Sequence, residues 1–287
     1  MINCKRSRKS NAVILKTNDN LLTDPNDVCN EFAKHFEQIV KIPNDAPNDP
    51  DIVKRVSDFR TQRCDGDIRH IDTDELSKLL KRLSNNKACG IDGITYEHLK
   101  YGGKLLEKHL CNLFSMIFDK CVTPNVWKAS MIIIPMHKGG SKPKTEYDAY
   151  RGISLISCVC KVFEKLLDCR IDERLNNFPN AQQMAYQKYL NSMFASFDLQ
   201  ELIRYYIERH SAVIVTFLDS MKAFDTVSHN GLKVKLYDLG ITGKMWNLLD
   251  KMYSNLKSCV RYNNQTSRYF DLSRSNDKAV PCRPSCI

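Results

Sequence analysis

No apolar run in the 287 residues approaches the roughly 18 needed to cross a bilayer. Residues 1–10 are basic and polar where a secretory leader would turn apolar. The expectation is therefore an intracellular protein, nuclear or cytoplasmic, with no membrane partner. Finger-type zinc binding is argued against in the same way. The only close cysteine pairs are Cys158 with Cys160 and Cys282 with Cys286, and neither is followed by a second pair or by histidines at finger spacing. The 7 histidines form no HxxxH pair. A disulfide scaffold is out of place in a chain of this length, so most of the 12 cysteines are expected to be free, buried thiols. No internal repeat is present.

What the chain does have is 43% hydrophobic and 26% charged residues, enough for one large core or two modest ones. Lys and Arg number 43 against 33 Asp and Glu, a net charge of +10. Such an excess favours polyanionic partners through steering and counterion release. By itself it supports a motif argument without carrying one.

Residues 1–25 hold the basic cluster Lys5, Arg6, Arg8 and Lys9 followed by turn-rich sequence, and read as a flexible lead-in that packs little. Val28, Phe32, Phe36 and Val40 then recur every fourth position behind Pro25, which predicts an amphipathic helix. Residues 43–50, with three prolines among Asn and Asp, read as a linker. A helix is expected from Asp72 or Thr73, with Glu75 placed for a capping box. A longer helix carries Leu106, Leu110, Leu113, Phe114, Ile117 and Phe118. Beyond Pro124 the period changes, and residues 131–136 predict a buried strand leading into a basic hairpin-like loop with Lys138, Lys142 and Lys144. Helical spacing returns at Val159, Val162, Phe163, Leu166 and Leu167, and again over 194–209, 231–239 and 244–254. Residues 212–218 are the most strand-like of all, and a hairpin through Asn263 and Asn264 follows. The mixture is α+β with helices in the majority.

The segment at 212–218 ends in Asp219. A carboxylate closing a buried apolar strand is costly unless it is solvated, paired or metal-bound. Two-metal phosphoryl transfer needs carboxylates on rigid backbone to hold two magnesium ions roughly 4 Å apart, and one aspartate cannot hold both. On spacing alone, Asp219 serves equally as a cap for the turn that follows.

The run VTFLDSMKAFDTVSH over residues 215–229 resembles the first palm motif of reverse transcriptases of non-LTR retrotransposons. NKACGIDG at 86–93, continuing through Glu97 and Lys100, is similar to the opening motif of that domain. IIIPMHKG before Gly140, YRGISL at 150–155, and Lys161 with Glu164 are similar to its fingers motifs. The resemblance covers roughly residues 21–271. It implies a right-hand polymerase fold: fingers and the start of the palm over 71–210 and a partial palm over 211–271. Before these would lie a pre-polymerase helix and linker at 26–70, and after them a divergent tail at 272–287, with the thumb absent. It implies Asp219 as a catalytic magnesium ligand, with the Ser220 backbone carbonyl as a second, and Phe224 as the ring beneath the incoming sugar. Asp225 in the same triplet is expected to be structural. Lys138 and Arg151 match the residues that grip the triphosphate, although singly either reads as a solvated surface charge. Gln183 opens a QMAY run where the family has Q-x-G-F, so the glycine is replaced by Ala185. The partners implied are an RNA template, a DNA primer and a dNTP.

No YADD-like or FADD-like hairpin and no adjacent Asp-Asp pair occurs in the 287 residues. Two functional expectations follow. One is a partial RNA-directed DNA polymerase domain, a two-metal nucleotidyltransferase in its family but inactive alone. The other is a nonenzymatic nucleic-acid-binding remnant whose basic fingers still hold phosphates.

Overall fold

The computed structural model describes residues 14–16, 21–41, 49–62, 66, 68–128, 131–139, 142–175, 183–185, 189–219 and 227–272. At its start, β1 (Leu15–Lys16) pairs antiparallel with β2 (Leu21–Leu22). Leu15 is fully buried, and Lys16 donates its backbone N–H to the Thr145 carbonyl at 2.8 Å. This part of the lead-in packs more than its composition suggested. The first helix, α1 (Pro25–Val40), starts where Pro25 occupies the first turn and the Asp24 carboxylate accepts the N–H groups of Asn26 and Asp27. Val28, Phe32, Phe36 and Val40 are all buried, as their spacing predicts.

Pro50 opens a helix, α2 (Pro50–Thr61), where a linker was expected to close. Asp49 caps it by accepting the Asp51 N–H at 3.0 Å, and Pro50 sits in the position where its missing N–H costs nothing. Next comes α3 (Thr73–Lys81), capped by Asp72. Its Glu75 is held below the ordinary carboxylate range, chiefly by Arg170, and it also accepts the Asp72 backbone N–H, which is the return bond of the expected capping box. The short α4 (Tyr96–Tyr101) leads into α5 (Gly103–Lys120), which buries Leu110, Phe114, Ile117 and Phe118. One further turn, α6 (Asn125–Lys128), precedes the sheet.

Strand β3 (Met131–His137) runs antiparallel to β4 (Tyr150–Leu155) and parallel to β5 (Lys257–Tyr262). β6 (Gln265–Thr266) and β7 (Phe270–Asp271) both pair with β5, so the order along the sheet is β4-β3-β5-β6 with β7 off that path. The parallel pairing covers only residues 131–133 of β3. Pro135 lies past it, opposite Gly152 of β4, at a position where no ladder partner asks for its absent N–H. The β5–β6 turn runs through Asn263 and Asn264 with φ of 48° and 63°, the two positive values that a tight hairpin requires and asparagine tolerates. Helix α1 lies across the sheet, and Phe36 reaches Gly152 so closely that a Cβ there would lie 3.2 Å from its ring.

Helix α7 (Cys158–Arg174) is capped by Ser157 and buries Val162, Phe163, Leu166 and Leu167. α9 (His229–Asp238) and α10 (Gly243–Met252), which follow α8 (Ser192–Ile207) in the chain, also form as the spacing predicts. The strand expected at 212–218 does not. The chain there is irregular and Ile214, Phe217 and Leu218 are 91%, 79% and 95% exposed. Strand preference is realised only through a partner ladder and a covered face, and among the described residues nothing pairs with this segment. Helix α8 forms over the expected residues, yet none of its residues is buried.

Candidate functional site

The β3–β4 ladder places Met136 opposite Arg151 and His137 opposite Tyr150. It continues one step past the strand, where Lys138 donates its N–H to the Ala149 carbonyl at 2.8 Å. Side chains alternate across a strand, so Lys138, Met136 and Arg151 share one face. All three are exposed there, while Tyr150 on the other face is buried. The ladder therefore brings together two of the residues expected to grip a triphosphate, as diagonal neighbours on rigid backbone.

The tip of this hairpin is tied by its own polar groups. Gly139, at φ 82°, donates its N–H to His137 Nδ1 at 3.0 Å, and His137 Nε2 contacts the Lys142 carbonyl at 3.1 Å. The Tyr150 hydroxyl donates to the Lys144 carbonyl at 2.9 Å. Beneath it, Tyr150 packs edge-on against Phe32 of α1 at 5.0 Å and His137 at 5.3 Å. The Lys138 ammonium donates to the Asp148 carbonyl at 2.8 Å, a neutral acceptor that orients the cation without cancelling its charge. Among the described residues Arg151 has no acidic partner. Two uncompensated cations on one face suit phosphate oxygens, the guanidinium by bidentate bonding and the ammonium as a compact charge.

Asp219 is exposed at the end of the irregular segment, and Gln183 is half-buried. Ser220, Phe224 and Asp225 lie outside the described residues. Among the described residues no group of three His, Cys, Asp or Glu side chains could hold a metal ion. One carboxylate cannot by itself hold two magnesium ions.

Sequence reasoning missed the buried charge cluster around Asp250, which is well organised among the described residues. Asp250, on α10, is 1% exposed. It accepts a bidentate pair from Arg60 of α2 at 2.9 and 2.8 Å and a third bond from the Lys233 ammonium of α9 at 2.8 Å. Burial pushes its carboxyl upward, but Arg60 and Lys233 outweigh this and hold it below the ordinary range. Burial also lowers Lys233, and Asp250 offsets that only in part. Nearby, the rings of Phe59 and Tyr237 stack at 3.7 Å, with Trp246 edge-on to Phe59 at 5.6 Å. These groups satisfy one another across three helices and bind α2 to α9 and α10. A comparable lock joins α7 to α3, where buried Arg170 meets Glu75 at 2.5 and 2.8 Å. The Cys158 thiol is pushed up to about 11 by burial, and Cys160 is raised well above its ordinary value by burial and Glu164. In both, the raised value disfavours the thiolate form.

The family described as reverse transcriptase (RNA-dependent DNA polymerase) matches residues 141–274. The 115 kDa protein in the type-1 retrotransposable element R1DM of Drosophila melanogaster is 23% identical over 266 residues, 92% of this chain and 24% of that protein. The RNA-directed DNA polymerase from mobile element jockey of the same species is 25% identical, covering 71% of this chain and 22% of its own length. An uncharacterized 149 kDa protein of transposon TX1 from Xenopus laevis is 24% identical, covering 90% and 20%. The chain thus spans a quarter or less of the length of these relatives. No helix among the described residues is long and apolar enough to cross a membrane.

Proposed function

We propose, from the match of residues 141–274 to the reverse transcriptase family and the similarity of most of the chain to proteins of retrotransposable elements, that the chain supplies the fingers and part of the palm of an RNA-directed DNA polymerase of a non-LTR retrotransposon. In this reading the β3–β4 hairpin grips the triphosphate of an incoming dNTP through Lys138 and Arg151. Asp219 supplies one of the carboxylates that position magnesium beside it, with the Ser220 carbonyl as a second ligand and Phe224 under the sugar. Gln183 lines the template side of the pocket.

The observation that carries the proposal is the shared, exposed face of Lys138 and Arg151 on a hairpin braced from below by Phe32 and Tyr150. In nucleotidyl transfer, negative charge grows on the triphosphate as the bond to the leaving oxygen lengthens, and fixed cations stabilise that charge with little reorganisation. Magnesium, when bound, would activate the attacking oxygen and stabilise the leaving one. One aspartate cannot organise two such ions, and the 287 residues contain no adjacent aspartate pair. We therefore expect these residues alone to bind triphosphate without polymerising.

Binding of a fluorescent dNTP to the purified chain tests the grip. Lys138→Ala and Arg151→Ala should each weaken it about tenfold or more, the scale of one lost charge-assisted bond. Unchanged affinity in both variants would refute the assignment. A primer-extension assay with magnesium or manganese should give no incorporation, and incorporation abolished by Asp219→Ala would overturn that expectation.

A further inference from the structure

Residues 84–93 run over the surface, and all of them are exposed except Cys89 and Gly90. The segment is tied to the elements that flank it by its own polar groups. Glu97 accepts the Asn86 backbone N–H, and the Lys100 ammonium donates to the Leu83 carbonyl at 3.2 Å and to Asn85 Oδ1 at 3.5 Å. In its middle, Gly90 is buried against the junction that leads from β4 into α7, where a Cβ would lie 2.7 Å from the Ser157 nitrogen and 2.9 Å from its Cα. The missing side chain is what lets the two backbones meet so closely. Cys89 precedes Gly90 and Cys158 follows Ser157, so a thiol stands one residue from the contact on each segment.

The two thiols are both free and differ in access: Cys89 is half-buried, whereas Cys158, in the first turn of α7, is fully buried. Burial pushes the Cys158 thiol up to about 11; Lys161 opposes this, and Asp92, Cys89 and Glu97 add to it. Cys89 is therefore within electrostatic reach of Cys158, in agreement with the backbone contact beside them. Cys160, two residues further on, is engaged elsewhere, its thiol donating to Glu164 Oε1 at 3.5 Å. An accessible thiol next to a sheltered one is the arrangement of a pair in which the first meets an oxidant and the second resolves the product.

We propose that Cys89 and Cys158 form a reversible disulfide in the presence of hydrogen peroxide, a clasp that holds the 86–93 loop to the start of α7. The Cys89 sulfur attacks one peroxide oxygen and the O–O bond breaks. This leaves a sulfenic acid on Cys89, while the other oxygen departs as hydroxide and takes up the thiol proton to become water. The Cys158 sulfur then attacks the sulfenic sulfur, the S–S bond forms, and the departing hydroxide takes the Cys158 proton as a second water. Two thiols give up two electrons in all, and the peroxide accepts them. The bond closes a ring from residue 89 to residue 158, long enough to restrict the unfolded chain strongly. The inference stands on the loop contact and does not depend on the nucleotide grip.

The test uses the full chain, reduced and then treated with a slight excess of hydrogen peroxide. Digestion without reductant should give a linked peptide pair containing Cys89 and Cys158, and dithiothreitol should remove it. Oxidised wild type should melt about 5 °C or more above oxidised Cys89→Ser, the scale of a cross-link that closes a long loop. The two reduced proteins should melt within about 2 °C of each other, because the altered side chain is only half-buried. In Cys158→Ala, dimedone should trap a lasting sulfenic acid on Cys89, the mark of a missing resolving thiol; the Cys89→Ser comparison stands even if that variant does not fold. Free thiols at both positions after oxidation, Cys89 linked to another cysteine, or oxidised wild type melting with oxidised Cys89→Ser would each overturn the proposal.

Discussion

Strand β3 and residues 212–218 are both seven residues long and both rich in isoleucine or valine, yet only one of them is a strand. β3 has β4 on one side and β5 on the other, with Ile132 and Ile133 covered. The second segment has no partner among the described residues and leaves Ile214 and Leu218 almost fully exposed. The same contrast separates α5, which buries a full apolar stripe, from α8, which buries none. Local sequence offers a conformation, and the neighbours decide whether it becomes an element with a buried face. On one side of this divide even charged groups are buried and paired, while on the other large apolar groups stand in solvent.

The sharpest way to probe the packed side is to remove its most buried charge. Asp250→Ala would leave Lys233, itself 4% exposed, without its counter-charge, and breaking a buried pair in this way costs about 3–5 kcal/mol. Urea unfolding should register that loss at neutral pH. The sign of the pH dependence follows from the lowered carboxyl of Asp250. A depressed folded value means that the stabilisation is present above the unfolded value of about 3.9 and is lost as pH falls through the folded one. Wild-type stability should therefore drop below about pH 4. The variant should drop less over that window, retaining only the contributions of groups such as Glu75, which Arg170 lowers in the same direction. A variant as stable as wild type would show that the triad is an incidental contact.

A smaller effect is expected where backbone packs on backbone. A Cβ on Gly90 would lie 2.7 Å from the Ser157 nitrogen and 2.8 Å from the Ile156 carbonyl carbon, atoms that no rotamer change can move. On Gly152 it would lie 2.7 Å from Ile133 Cγ2 and 3.2 Å from Phe36, side chains that can shift. Overpacking of this kind costs about 1–3 kcal/mol, so both alanine variants should lower the melting temperature, Gly90→Ala more than Gly152→Ala. The reverse order would mean that the 86–93 loop yields more readily than the sheet.

How much of this was legible in the sequence follows the same divide. Helices α1, α3, α5, α7, α9 and α10 announced themselves because an apolar stripe at helical spacing is a local signal, and the Asn263–Asn264 turn because few residues tolerate two positive φ values. Helix α2 is hidden although Asp49 and Pro50 form an N-terminal signature, since prolines at 43, 47 and 50 read as a linker. The pairing of Lys138 with Arg151 came from motif resemblance, and only the strand register fixes that they share a face. Nothing local marks Asp250, whose partner Arg60 is 190 positions away. The strand at 212–218 failed for the converse reason: its local signal was strong and its partner was not supplied.

That last failure yields the smallest expected effect and the most direct test of the comparison. If the segment is unpartnered, replacing its apolar side chains removes no contact, and Ile214→Ser combined with Leu218→Ser should change the unfolding free energy by no more than about 0.5 kcal/mol, the range of ordinary surface substitutions. The same change applied to Ile132 and Ile133 of β3 would abolish folding or come close to it. An exposed apolar, β-prone stretch is also a template for pairing with other chains, so the serine variant should stay monodisperse at protein concentrations where wild type self-associates by light scattering. A loss above about 2 kcal/mol would instead be the signature of core removal. It would place residues 214 and 218 under cover in solution and erase the distinction between this segment and β3.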